Sequence, residues 1–189
     1  VVDRVVTPIG APSKARLLVA TPRLEDPNFR RTVVLLVEHN NEGSIGVVLN
    51  RPSPLGVVDV LPSWGERLGD DAHLFVGGPV EPEAMLAVGL AGENEEGCTP
   101  LGNRLALVDL GRTPELFAQS VESILVFVGY AGWGPGQLDA ELGEGAWWVF
   151  DSEPSDLMTE PEELWHDVLA RQGSAATLLR EHPDDPSVN

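Results

Sequence analysis

The sequence predicts an α+β domain built on a mixed sheet. About seven short runs of β-branched and aromatic residues are interspersed with four or five helical segments. Two of those runs carry a hairpin signal, and a third feeds a helix and then another strand. A chain of 189 residues with 42% hydrophobic content is long enough for one domain with a sizeable core. No internal repeat of fixed period interrupts that reading.

Residues 17–21 read as a short strand, followed by a loop over 22–31 with a single turn at Asp26-Pro27-Asn28-Phe29. Residues 32–39 and 44–50 are β-rich runs joined by Asn40-Asn41-Glu42-Gly43, where Asn and Gly tolerate the positive φ of a tight hairpin. A short helix over 57–68 is interrupted near Pro62, and 73–76 returns to strand before Gly77-Gly78-Pro79. Residues 83–90 and 104–110 form a strand pair around the polar loop 91–103. Thr113, Pro114 and Glu115 start a helix over 113–121 with favourable end chemistry. A strand over 123–130 then enters a glycine-rich loop, with Pro135 suited to the first position of a helix over 135–142. After a strand at 146–150, the helix over 160–171 places Leu164, Trp165, Val168 and Leu169 on one stripe. One or two further turns follow at 174–180. The expected organisation is an N-terminal extension over 1–16, a single domain over 17–181 and a flexible Pro- and Asp-containing tail over 182–189.

Charge narrows the function. Thirty acidic against 12 basic residues give a net charge of −18, and the C-terminal quarter is the most acidic part. Nucleic-acid affinity rests on Lys and Arg neutralising phosphates, so direct DNA binding is disfavoured. Cys98 is the only cysteine and cannot form an internal disulfide. Its acidic neighbourhood raises rather than lowers a thiol pKa. No apolar run approaches the roughly 18 residues that cross a bilayer, and the first 16 residues lack a signal-peptide core. A soluble, cytoplasmic protein with no membrane association is expected.

Four motifs stand out. Glu38-His39-Asn40 pairs a histidine with a carboxylate, but adjacent residues on a strand face opposite ways, so they form no simple dyad. His39 is expected to bind loop backbone at the hairpin. Leu49-Asn50-Arg51-Pro52 adds Arg51 to a local basic island of Lys14, Arg16, Arg23, Arg30 and Arg31. That island suits an anion or an acidic partner, although neutralising the acidic surface explains it more simply. Val76-Gly77-Gly78-Pro79-Val80 places glycines at a strand end, where backbone approaches closely. The run from Gly129 through Tyr130, Gly132, Trp133 and Gly134 to Gly136 departs from G-x-G-x-x-G and has no P-loop lysine, which argues against a nucleotide site. Gly132 and Gly134 are expected to sit where a Cβ does not fit. No two histidines have helical metal-site spacing, and no nucleophile elbow or catalytic-cysteine signature occurs. Neither a metal nor another cofactor is expected.

Taken together, these four motifs closely resemble the YqgE/AlgH family of bacterial proteins, often labelled putative transcriptional regulators. The resemblance runs from about Leu17 to Pro183. It implies a bifurcated sheet that curls into a barrel-like core with helices packed outside. Where the family pattern usually ends an apolar stretch in histidine, this chain has Ala84-Met85-Leu86-Ala87-Val88-Gly89-Leu90. The function expected is a non-enzymatic binding or regulatory role through a protein partner or small ligand, with any effect on transcription indirect. The alternative is an enzyme or ligand-binding domain with a cleft between the Gly77-Gly78-Pro79 and Gly132–Gly136 loops, flanked by His39, Asn40 and Arg51.

Overall fold

The computed structural model describes residues 10–173. Most of the N-terminal extension, the turns expected at 174–180 and the tail at 182–189 lie outside the described residues. Among the described residues, ten strands form one branched sheet. They are β1 (Arg16–Ala20), β2 (Val33–Asn40), β3 (Gly43–Val48), β4 (Pro52–Gly56), β5 (His73–Val76), β6 (Val80–Ala91), β7 (Cys98–Gly102), β8 (Leu105–Val108), β9 (Val121–Trp133) and β10 (Trp147–Asp151). The spatial order is β10-β1-β2-β3-β9-β6-β8-β7, with β4 and β5 on a branch. All pairings are antiparallel except β5 with β9, which makes the sheet mixed as expected. The helices are α1 (Val57–Val60), α2 (Pro62–Leu68), α3 (Gln137–Gly143) and α4 (Pro161–Ala170).

Alternation along the strands sorts the core into two faces. One face carries Leu17, Val19, Leu35, Val47, Val88, Leu105, Phe127 and Phe150, and α4 packs Leu164, Trp165, Val168 and Leu169 against it. The opposite face is covered in two patches. Residues of α1 and α2 with Phe117 cover β5, β6, β8 and the first half of β9. Leu138 of α3, with Leu24 and Phe29, covers β1, β2, β3 and β10. The sheet is therefore apolar on both sides, which explains runs such as Val33–Val37 that do not alternate with polar residues. It curls until the β7–β8 turn returns to the start of β1. There Asn103 Nδ2 donates to the Ser152 carbonyl at 3.1 Å, and the Ser152 hydroxyl donates to the Ala15 carbonyl.

The fork lies on β9. Its first half pairs with β5 through Val126, Phe127 and Val128, and its second half pairs on the same edge with β3 through Ala131, Gly132 and Trp133. Gly77 bridges the two partners, donating its N–H to the Val128 carbonyl while its own carbonyl accepts from Val48. At the switch Gly129 has φ +66°. This extra residue inverts the alternation, so that Phe127 and Tyr130 share one face while Val126, Val128, Ala131 and Trp133 point the other way.

Several sequence expectations change. The segment at 129–133 is strand rather than loop, and only Gly134-Pro135-Gly136 remains a turn. Pro135 is not the first helical residue, because Gly136 takes a left-handed conformation and α3 begins at Gln137. The helix expected at 113–121 shrinks to a 3-10 turn at Pro114–Phe117, since Val121 already belongs to β9. β7 occupies part of the expected 91–103 loop. β4 was hidden by its two prolines, which are tolerated because it is an edge strand paired only with β5.

Candidate functional site

The sequence-selected residues fall into separate places. At the hairpin end, His39 lies opposite Ser44 and Ser44 opposite Trp133, so the three form one row across β2, β3 and β9. His39 Nδ1 hydrogen-bonds Ser44 Oγ at 2.7 Å, so its partner is a side chain rather than the expected loop backbone. Asn40 shapes the turn: its Oδ1 accepts from the Glu42 N–H at 2.7 Å and its Nδ2 donates to Glu38 at 2.8 Å. Trp133 is 5% exposed and packs with Phe29 and Trp147. One Glu141 oxygen accepts from both indole N–H groups, at 2.9 Å from Trp133 and 2.8 Å from Trp147. This cluster fastens α3 to the sheet.

The glycines at the fork are structural. A Cβ on Gly78 would lie 2.2 Å from the Tyr130 carbonyl carbon, and one on Gly77 2.3 Å from the Gly129 oxygen. Where Gly77-Gly78 crosses β9 the backbones touch, so the cleft expected between the two glycine segments is filled there. Gly132 and Gly134 differ from expectation. Neither has a positive φ, and the nearest atoms to their added Cβ atoms lie at 3.5 and 3.9 Å. Gly136 does have φ +72°, in open space. Tyr130 lies on the opposite face from Trp133, and burial, with a hydrogen bond and charge from Glu81, pushes its phenol pKa up.

Arg51 belongs to a different place. About 13 Å of β3 separates Ser44 from Val48, and beyond Val48 the chain enters a trough made of three adjoining cavities. All three include Pro52. The first, about 350 Å³, is lined by Arg31, Asn50, Arg51, Trp165, His166 and Glu162. The second, about 380 Å³, runs between β5 and the start of α4 over Val57, Leu68, Phe75, Ile124 and Leu125, with Asp71, Glu160 and Glu162 on its rim. The third, about 240 Å³, lies against Pro27, Asn28, Val76, Gly78 and Pro79.

The walls are held by ordinary backbone chemistry. Asn50 is 7% exposed; its Oδ1 accepts from the Val33 N–H and its Nδ2 donates to the Arg31 carbonyl, both at 2.9 Å. Asn50 therefore clamps the corner that carries Arg31, while Arg51 beside it turns into the trough. The Arg51 guanidinium donates to the Arg30 carbonyl, and burial, followed by the charge of Arg30, lowers its pKa. Arg31 lies 5.2 Å from the centre of the Trp165 ring, a cation–π distance. Trp165 is fixed by its indole N–H, which donates to the Ala20 carbonyl at 2.9 Å. The other end of α4 is pinned by Arg171, which reaches both oxygens of buried Asp156 at 2.7 and 3.0 Å.

The basic island is thus dispersed. Lys14 donates to the Pro100 carbonyl, Arg16 pairs with Asp151, Arg23 is exposed near Gly145, and Arg31 and Arg51 line the trough. Burial and Glu95 push the Cys98 thiol pKa up, as its acidic neighbourhood predicts. Among the described residues no group of three or more His, Cys, Asp or Glu is placed to hold a metal ion. No helix among them is long and apolar enough to cross a membrane. Sequence reading missed Glu162, His166 and Phe75 as lining residues. Arg31 was visible only as part of the island and Trp165 only as part of a helix stripe, because their convergence depends on α4 packing beside β4.

A family model described as AlgH-like matches residues 17–177. A UPF0301 protein of Streptomyces avermitilis is 50% identical over 182 residues, covering 92% of this chain and 94% of that protein. A UPF0301 protein of Thermobifida fusca is 44% identical, covering 92% and 93% respectively. Among solved structures, a crystal structure of a protein from Corynebacterium diphtheriae matches with a TM-score of 0.85 at 33% identity, covering 90% of this chain and 92% of that one. The solution structure of the AlgH protein from Pseudomonas aeruginosa matches with a TM-score of 0.67 at 34% identity, covering 93% and 98%.

Proposed function

The chain belongs to the AlgH-like family, and from that premise we propose that it is a non-enzymatic binding or regulatory protein of the cytoplasm, acting through a small ligand or protein partner held in the Pro52 trough. The observation that carries this reading is the meeting of three cavities at Pro52, with two arginines at one end and an apolar floor at the other. A concave apolar surface with a few convergent polar groups is the usual form of a binding site. A regulatory role of this kind reaches transcription indirectly, since a net charge of −18 opposes a phosphate backbone.

Native mass spectrometry of protein isolated gently from its own cells tests the reading. Wild type is expected to carry a ligand or partner in fixed stoichiometry, and Arg51→Glu to lose it while keeping the wild-type melting temperature. Retention of the same bound species by a folded Arg51→Glu variant would remove the trough from the function. Chemical turnover of the bound species would favour the enzyme reading.

A further inference from the structure

We infer that residues 24–31 work as a strap: they open and close as one unit, and so link the wall of the trough to the cluster that fastens α3 on the other face of the sheet. The link is a property of the chain itself; as a route by which an occupant of the trough is felt at α3, it rests on the binding role proposed above. The segment has two working faces. Toward the trough, Pro27 and Asn28 line the third cavity and Arg31 lines the first. Toward the opposite face, Leu24 and Phe29 pack beside Leu138 of α3. The centre of the Phe29 ring lies 5.6 Å from that of Trp147 and 6.3 Å from that of Trp133, the two indoles whose N–H groups share Glu141 of α3. Phe29 itself lines none of the three cavities.

Between those faces the segment is bonded locally. The N–H groups of Phe29 and Arg30 both donate to the Asp26 carbonyl, that of Asn28 donates to Asp26 Oδ1 at 2.8 Å, and that of Leu24 donates to the carbonyl of Thr21 just before it. Such bonds travel with the segment, so it can open by itself at a cost far below that of global unfolding. Two side chains hold its C-terminal end: Arg51 donates to the Arg30 carbonyl, and Asn50 Nδ2 donates to the Arg31 carbonyl at 2.9 Å. Arg31 has φ +55°, a left-handed conformation that a non-glycine residue keeps where its surroundings fix it. Arg51 also lines both the first and the third cavity, which joins the hold on the strap to the trough. An occupant lying between Pro52 and the strap touches walls that exist only while the strap is closed, and that difference in affinity is what shifts an equilibrium. By reciprocity, Phe29 is a positioning residue for the trough.

The test is hydrogen exchange followed by NMR on the whole protein, comparing wild type with Arg51→Met, Phe29→Leu and Val76→Ala. The first two variants are each read at the end they do not touch. Arg51→Met is expected to speed exchange of the Phe29 amide about tenfold, the effect of losing one hydrogen bond from a charged donor, and to shift the indole N–H signals of Trp133 and Trp147. It should do so at the wild-type melting temperature, since the opening is local. Phe29→Leu is expected to shift the Asn50 side-chain amide, whose partner is the Arg31 carbonyl, and to speed its exchange. Val76→Ala, at a residue that lines the third cavity without holding the strap, should leave all these signals as in wild type. Changes confined to the neighbours of each substituted residue, or equal movement of the indoles by Val76→Ala, overturn the inference. If Arg51→Met fails to fold, Phe29→Leu read at Asn50 decides the matter. Loss of the link while the species seen by native mass spectrometry still depends on Arg51 defeats the strap and leaves the binding role standing; an intact link with no Arg51-dependent species does the reverse.

Discussion

The fork at Gly77-Gly78 and the trough at Pro52 are neighbours built on opposite principles. At the fork, backbone lies against backbone: Gly77, Gly78 and Gly129 have no side chains because a Cβ at each would meet a carbonyl group within 2.5 Å. At the trough, side chains from a loop, an edge strand and a helix stand apart around open space. The glycine signature thus marks the place where the sheet divides, while the arginine beside Asn50 lines the open cavities at Pro52. Gly78 touches both, since it also lines the third cavity. The contrast teaches that the residues most conspicuous in this sequence serve geometry and that quieter ones line the open space.

The largest effect should come at the fork. Gly78→Ala puts a methyl into the Tyr130–Ala131 peptide at φ +156°, where neither backbone segment can yield. A loss on the order of 3 kcal/mol or more is expected in urea unfolding, at the upper end of overpacking costs. A folded Gly78→Ala of near wild-type stability would return the glycines to the list of ligand contacts. Nearly as large is Arg171→Met, which leaves Asp156 buried without its cation and loosens the helix that walls the trough. About 3 kcal/mol is expected. Ligand affinity should fall together with stability, because Trp165 and His166 ride on that helix.

His39→Ala removes one partly buried hydrogen bond to Ser44 and should cost about 1 kcal/mol, with ligand binding unchanged. Loss of ligand without loss of stability would place the hairpin end in the site. Smaller still are Gly132→Ala and Gly134→Ala, whose new methyls meet nothing closer than 3.5 Å. Stability changes within about 0.5 kcal/mol are expected, as at ordinary surface positions. The smallest expected signal is duplex DNA. Fluorescence anisotropy at physiological salt should show no sequence-dependent binding tighter than about micromolar. Such binding would displace the trough as the centre of function.

Much of the architecture was legible because it is local. The hairpin at Asn40–Gly43, the break at Pro62, the β6–β8 pair and the α4 stripe all follow from periodicity and turn chemistry acting over a few residues. Reading failed where a rule of alternation was suspended. β9 contains left-handed residues at Ser123 and Gly129, each shifting the period by one, so a single 13-residue strand resembled a strand followed by a loop. Asn50 and Arg51 looked like one motif, yet one is a buried clamp and the other a trough residue. Only the corner at Arg31 distinguishes them.

By itself, the sequence determined the family, the α+β class, the acidic surface and most strand and helix positions, because these depend on composition, motif identity and neighbours along the chain. The tertiary structure alone decided that the glycine segments close on each other, that Arg31, Arg51, Trp165 and His166 line one cavity, and that Phe75 lines the cavity adjoining it. Those residues lie on four separate segments from the loop before β2 to α4. Their meeting is set by how far the sheet curls and where α4 lands on it, which are properties of long-range packing that no local pattern encodes.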